Sequence, residues 1–505
     1  MHDISYYIFI KTKSIRMRQI LFILFSFYIL TGWSSTYNDT IKYRIEMLST
    51  ISKGTYAPTW LAANRYGLGD AKNKNAYVRT KIGWNRQLNN NWKIETAFDV
   101  AGGLNKESNI WLQQAYMDVS WKFATLSIGS KENRGKALEK NPQLTSGWMV
   151  EGINARPIPQ IRLEISDYTY IPGCNHWAAL KAHVCYGIFT DGEWQENFVA
   201  PNNEFTKNVL YHSKSLMFRI GNREKLPIEF EFGLLTGAQF GGERMKKNKD
   251  GSISMIRDMP DAFKDFWKAF FPTQSSTLEN VQGNHCGSWN FGLNIYKDLW
   301  RLRAYMEHYF EDHSQMFLQY GKWKDKHIGI EITPPENPFI KAIVLEELNT
   351  TDQTGPILYD GVGGSFTDLQ MSGGDNYYNN GEYLGWQNYG SVLGHPLLYG
   401  PEYNADKSNS IKSNRIKALH IGIEGEPNEE WSWRFMLTHT KHWGTYKQPL
   451  DRVRKQISGM AEITYTPRYS YGWSFTGAIG ADKGDYLGNS GGCLFTIKKT
   501  GIICL

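Results

Sequence analysis

Cysteine is scarce in this chain, five in 505 residues, at positions 174, 185, 286, 493 and 504. No two form a Cys-x-x-Cys pair, which excludes a disulfide-dense scaffold and a zinc site built on paired cysteines. The odd count leaves at least one thiol unpaired in a monomer. Cys174 and Cys185 are placed to bridge neighbouring strands, or all five serve as small semi-apolar fillers. Long apolar runs are also rare. Ile20 to Leu30 (ILFILFSFYIL) is too short to cross a bilayer as a helix, and no run of eighteen apolar residues follows it. An excess of one charge is missing as well. The chain carries 56 Lys and Arg against 50 Asp and Glu, a net charge of +6 spread along its length. No basic stripe for nucleic acid results.

The short apolar run has its own meaning. Lys11, Lys13, Arg16 and Arg18 precede it and Gly32-Trp33-Ser34 follows, the pattern of a secretory signal over residues 1–34, with Met17 as an alternative start. What remains, residues 35–505, is either soluble after export or crosses a membrane as strands.

Aromatic residues are abundant instead: 29 Tyr, 25 Phe and 18 Trp, with 48 Gly. They fall into runs of alternating character. Along Trp92 to Val100, the residues Trp92, Ile94, Thr96, Phe98 and Val100 oppose Lys93, Glu95, Ala97 and Asp99. In Trp111 to Trp121, Trp111, Gln113, Ala115, Met117, Val119 and Trp121 oppose Leu112, Gln114, Tyr116, Asp118 and Ser120. A period of two marks strands with one apolar and one polar face. Runs of about ten residues exceed the usual soluble strand of roughly five or six. Trp84, Trp92, Trp111, Trp121, Trp289, Trp300, Trp431 and Trp473 stand at run ends. Long strands with a greasy face and aromatic ends predict an all-β fold, a transmembrane antiparallel β-barrel of about 18 strands with a polar lumen. Short turns such as Leu88 to Asn91, Tyr296 to Asp298 and Pro427 to Glu430 join neighbouring strands.

Three segments break the alternation. Lys131 to Gln160 is rich in Gly, Asn and Pro. Gly241 to Gly283 holds a helix expected over Pro260 to Phe271, amphipathic, read as a plug or a cap rather than a membrane-surface helix. The third, Asn349 to Ser413, is a long loop with no periodicity, and such loops are usually functional.

Tyr56-Ala57-Pro58-Thr59-Trp60-Leu61-Ala62-Ala63-Asn64-Arg65-Tyr66-Gly67 resembles the N-terminal signature of Wzi-type capsule-assembly proteins, in the form found in the Bacteroides group. Gln114 to Asp118, Leu126 to Glu132, Asp352 to Pro356, Tyr377 to Tyr383, Gly394 to Leu397 and Lys499 to Gly501 carry the same resemblance. It implies an outer-membrane β-barrel with loops at the cell surface. Its role would be to bind and anchor capsular or exopolysaccharide as a lectin rather than an enzyme, with no cofactor or metal. Outer-membrane lipid is the other partner, and a monomer is favoured. A porin-like channel and an outer-membrane hydrolase are the alternatives. Against the hydrolase, Asp406, His420 and several serines show no Gly-x-Ser-x-Gly order.

Within the third segment, GGDNYYNNGEYLGWQNYG (Gly373 to Gly390) combines rings with amides and carboxylates. Rings cover the C–H faces of sugars, while amides and carboxylates bind hydroxyl edges. Asp375, Asn376, Tyr377, Tyr378, Asn379, Asn380, Glu382, Tyr383 and Trp386 are therefore candidate carbohydrate-binding residues. The same composition also suits a loop folded back into a barrel mouth, its hydroxyls and amides satisfying one another. His439 and His442 should point to opposite sides of their strand, and Glu346 and Glu347 likewise.

Overall fold

The computed structural model describes residues 39–104, 109–271, 283–311, 316, 323–355, 358–361, 369–372, 375–469 and 471–504. The expected leader at 1–34 lies outside them. The period-two runs form eighteen strands: β1 (Thr40–Gly54), β2 (Lys74–Gln87), β3 (Trp92–Leu104), β4 (Ile110–Trp121), β5 (Ala124–Ser130), β6 (Gln160–Tyr170), β7 (Ala178–Ile188), β8 (Leu210–Ile220), β9 (Ile228–Phe240), β10 (Asn284–Lys297), β11 (Trp300–Phe310), β12 (Lys326–Thr333), β13 (Ala342–Asn349), β14 (Ile416–Gly425), β15 (Trp431–Gly444), β16 (Pro449–Tyr465), β17 (Trp473–Gly484) and β18 (Ser490–Cys504). Each pairs antiparallel with the next. β18 returns to β1, from Thr40↔Cys504 to Gly54↔Ser490, and closes the cylinder. Closure satisfies the ladder of every strand. In lipid an unpaired backbone group costs several kcal/mol, and an open edge would carry a row of them.

The wall is inside-out relative to a soluble protein. On β9, Glu229 and Glu231 are buried in the lumen while Ile228 and Phe230 face outward. On β3, Asp99 and Ala101 point inward and Trp92 and Leu104 outward. Trp92, Trp121, Trp300, Trp431 and Trp473 are all exposed at the end where β1 begins and β18 finishes, here called the terminal end. Trp92 lies 6.4 Å from Trp121, and Trp431 stacks on Tyr465 at 4.6 Å. This is an interfacial girdle. The connections at that end are short, and the segments 55–73, 131–159, 189–209, 241–283, 311–325 and 350–415 all emerge at the other, here called the loop end.

Two expectations need correction. Trp111 faces the lumen, not the lipid. The β3–β4 register shifts between Asp99↔Gln114 and Val100↔Leu112, so Gln113 is bulged out of the ladder. A bulge inverts the alternation beyond it, which turns Trp111 inward beneath the Arg156 guanidinium. The helix α3 (Phe263–Phe270) is neither plug nor cap. It follows α1 (Thr59–Ala62) and α2 (Gly192–Phe198), and lies against the outer wall. Its Phe266 meets Tyr186 and Phe240, on the outward files of β7 and β9. Lys214, on the outward file of β8, reaches the carbonyl of Phe270 and its ring. A cation on the lipid side is thus satisfied by the negative end of a helix. Phe263 (91% exposed) and Trp267 (66%) point away from the barrel.

The five cysteines are free thiols. His439 faces outward and His442 inward, and Glu346 is buried in the lumen while Glu347 is exposed outside, as their spacing predicts.

Candidate functional site

The lumen is filled by the chain itself. Segment 131–159 joins β5 to β6, yet its Leu144 carbonyl is 2.7 Å from His420 Nε2 on β14. β14 is nine steps from β5 in a cylinder of eighteen, directly opposite, so the segment crosses the full diameter. Along the way it meets polar groups from many strands. Arg79 of β2 donates to Asp99 at 2.6 Å and to Glu132 at 3.0 Å. The bulge supplies two successive inward amides, and Gln113 and Gln114 both donate to Glu132, at 2.8 and 3.1 Å. Lys140 pairs with Glu307 of β11 and lies 2.8 Å from His327 Nδ1. Ser146 donates its backbone N–H and hydroxyl to Glu346 and faces His395 Nε2 at 3.2 Å. Burial holds His395 well below the usual imidazole range, helped by His327 and Lys140. A buried charge must be paired and hydrogen-bonded to be tolerable. These pairs hold the segment in place as a plug.

The Tyr/Asn stretch lies on top of that plug, and its candidate residues separate into two groups. Tyr377, Tyr378, Tyr383 and Trp386 are buried. Trp386, 0% exposed, donates its ring N–H to the Val150 carbonyl at 2.9 Å and packs on Gly237, where a Cβ would come within 2.9 Å of the indole. The Tyr378 hydroxyl donates to the Met149 carbonyl and accepts from the His395 N–H at 2.9 Å. Tyr377 donates to Asp325 at 3.1 Å. Tyr309 meets both rings edge-on, at 4.6 and 5.5 Å. Tyr378, Leu384 and Tyr389 adopt positive φ. Such strain persists in non-glycine residues only where the surroundings enforce it.

Asp375, Asn376, Asn379, Asn380 and Glu382 are half-buried at the loop-end surface. Glu382 is held by Arg257 at 2.8 Å and Arg244 at 3.4 Å. Asn376, Asn379 and Asn380 line a cleft of about 480 Å³ together with Asn202, Asn203, Glu204, Ser408, Asn409, Ser410, Lys447 and Gln448. No aromatic ring lines it among the described residues. Its walls come from three connections: 189–209, 350–415 and the tight 445–448 turn. Asn379 exchanges bonds with the Ile411 backbone at 2.8 and 2.9 Å, and Asn414 donates to Asn376 at 2.7 Å. Asn409 is 3% exposed, and its Oδ1 has no hydrogen-bond partner among the described residues. The arrangement offers convergent amide and hydroxyl groups to a polyhydroxylated ligand.

Two buried carboxylates fasten the cleft-bearing segment. Asp325 accepts from the N–H of Asp352 (2.9 Å) and Gln353 (2.7 Å) and from Tyr377. Asp191 accepts from the Tyr389 N–H, Gln195 and Gln387, each near 3 Å. Burial pushes each carboxyl up to about 6, against the pull of these donors. Sequence reasoning missed both anchors, along with Asn202, Asn203 and Gln448, because they lie on other connections, and Asn409, because it lies well beyond the Tyr/Asn stretch on the same one; no local motif marks any of them. Asp406 and His420 do not meet: Asp406 pairs with Lys412 on the loop surface, while His420 sits in the lumen against Thr438 and Leu144.

No protein-family model matches the chain, and no curated protein matches its sequence. Solved structures match in fold. One is Wzi of Escherichia coli, described as an outer-membrane protein involved in group 1 capsule assembly and a carbohydrate-binding β-barrel. It is 12% identical with a TM-score of 0.55, over 90% of this chain and 83% of that one. OccAB4 of Acinetobacter baumannii is 8% identical with a TM-score of 0.46, over 92% and 98%. OccK1 of Pseudomonas aeruginosa is 9% identical with a TM-score of 0.46, over 92% and 99%. At 12% identity the likeness to Wzi is one of fold, and it agrees with the closed wall: this chain folds as an eighteen-stranded antiparallel β-barrel, the fold of that outer-membrane protein.

Proposed function

We propose that this barrel binds and anchors capsular or exopolysaccharide at its loop end, turned toward the cell exterior, without chemistry on the glycan. The observation that carries the reading is a lumen occupied by its own plug beneath a cleft built from amides and hydroxyls. Asn380, Lys447 and Gln448 would meet hydroxyl edges, with Asn376 and Asn379 shaping the wall and the Asn409 carbonyl as a buried acceptor. Asp375 and Glu382 would border the cleft. Tyr377, Tyr378, Tyr383 and Trp386 would serve as the support that holds these amides still. The carbohydrate binding stated for Wzi of E. coli lends the reading support at the level of a shared fold. A single neutral hydrogen bond contributes only about 0.5–1.5 kcal/mol net. Grip on a polymer would therefore come from many repeats and many copies of the barrel.

The test is polysaccharide retention in cells carrying Asn380→Ala, Lys447→Ala and Gln448→Ala together, three changes at the cleft surface. Polymer should be released to the medium while the amount of folded barrel stays unchanged. Retention equal to the unaltered protein rejects the cleft as the binding site.

A further inference from the structure

Three lysines stand in one row on the outer wall. Lys417 of β14, Lys441 of β15 and Lys455 of β16 are direct partners in the ladder, Lys417↔Lys441 and Lys441↔Lys455. All are exposed, and Lys483 of β17, opposite Ile457, flanks them. Directly opposed side chains have Cβ atoms about 4.5–5.5 Å apart, where like charges repel. Among the described residues none of the four has an ion-pair partner. Of the nearby outward carboxylates, Asp485 accepts from the Lys455 backbone N–H at 2.7 Å and pairs with Arg452 at 3.2 Å, and Glu347, opposite Leu419, makes no ion pair among the described residues.

The height of the row is informative. Lys441 and Lys455 each lie ten residues from Trp431 and Tyr465, the stacked pair of the girdle at the terminal end. At about 3.3 Å per residue and a tilt of 35–45°, that is about 25 Å, the height of the apolar band of an outer-membrane barrel. The lysines therefore stand where hydrocarbon gives way to headgroups. Beside them the wall is dented. An apolar groove of about 790 Å³ runs over the outward faces of β9 to β15, with Phe291, Met306, Ile330, Leu345, Leu419 and Leu437 among its lining. Leu419 is the next outward residue below Lys417, while below Lys441 come His439 and then Leu437, both at the groove.

We propose that the Lys417–Lys441–Lys455 row, flanked by Lys483, docks the phosphorylated headgroup of a lipid in the loop-side leaflet, whose acyl chains lie in the groove. Charge complementarity, continuity with the lipid-facing wall and the match in height select this occupant. The row spans two strand spacings, about 10 Å, enough for two phosphates on one headgroup. The proposal concerns the wall and stands independently of the glycan reading.

The full mature barrel, reconstituted in phosphatidylcholine nanodiscs doped with lipid A, tests it, with native mass spectrometry counting retained lipid. Bound lipid A should survive delipidation, and the enzymatically dephosphorylated form should be retained about tenfold less. Lys417→Gln, Lys441→Gln and Lys455→Gln together should cause the same loss, and Lys→Arg at the three positions should restore retention. Equal retention of both lipid forms by the unaltered protein overturns the proposal whether or not the variants fold. So does undiminished retention by a folded glutamine variant, or preference of the row for a soluble anionic glycan over lipid A.

Discussion

Trp386 is the largest fully buried side chain among the described residues, and it holds the cleft-bearing segment to the plug through Val150. Trp386→Ala should lower unfolding stability by about 3–5 kcal/mol, from lost burial and an unfilled cavity. Asn380→Ala removes the acceptor of the Glu382 and Tyr383 N–H groups and should cost only about 1 kcal/mol while weakening polysaccharide retention. Chemical denaturation of the detergent-solubilised barrel separates the two. Asp325 and Asp191 make stability depend on pH in a stated direction. Each carboxyl is raised to about 6 in the fold, above an ordinary value near 3.9. Between about pH 4 and 6 the folded chain keeps protons that the unfolded chain has released. Their contribution is therefore full below about pH 4 and lost as pH rises through 6. The slope is at most about 1.4 kcal/mol per pH unit for each group. Asp325→Asn should flatten that slope and lower stability overall, because an amide N–H would face the donors of Asp352, Gln353 or Tyr377. Denaturation midpoints across this window decide it, and an unchanged slope contradicts the assignment.

At the scale of elements, the plug depends on pairs such as Lys140 with Glu307. Glu307→Gln leaves a buried ammonium without its direct counter-charge and should cost about 3–5 kcal/mol. Loosening should appear as protease cleavage within 131–159 from the loop side, where the unaltered protein resists. The helix α3 presents Phe263 and Trp267 to the membrane boundary. Lipids brominated near the headgroup should quench part of the tryptophan emission, Trp267→Phe should remove part of that quenched fraction, and a quenched fraction unchanged by Trp267→Phe contradicts that placement. The sequence shows this helix plainly, through its spacing and its flanking Pro260 and Pro272. Which surface it covers is not legible, because the partners Tyr186, Lys214 and Phe240 are distant in sequence. The same holds for Trp111: one unpaired residue at Gln113 inverts the side to which every later residue points, and nothing local announces it.

For the whole molecule, the wall is legible because lipid imposes one rule on every strand, apolar out and polar in, repeated until the sheet closes. The interior is not legible in this way. Segments 131–159 and 350–415 have no periodicity, and the same tyrosines and amides suit a sugar surface and a packed core alike. Only the fold decides, placing Tyr377, Tyr378 and Trp386 in the packing and Asn376, Asn379 and Asn380 at the cleft. The central claim is that the chain fills its own lumen, so that the molecule holds something at its mouth rather than passing it through. Single-channel recording of the purified barrel in a planar bilayer tests this most directly. The account predicts insertion without steady ionic current, and a persistent, voltage-independent open-pore conductance would contradict it.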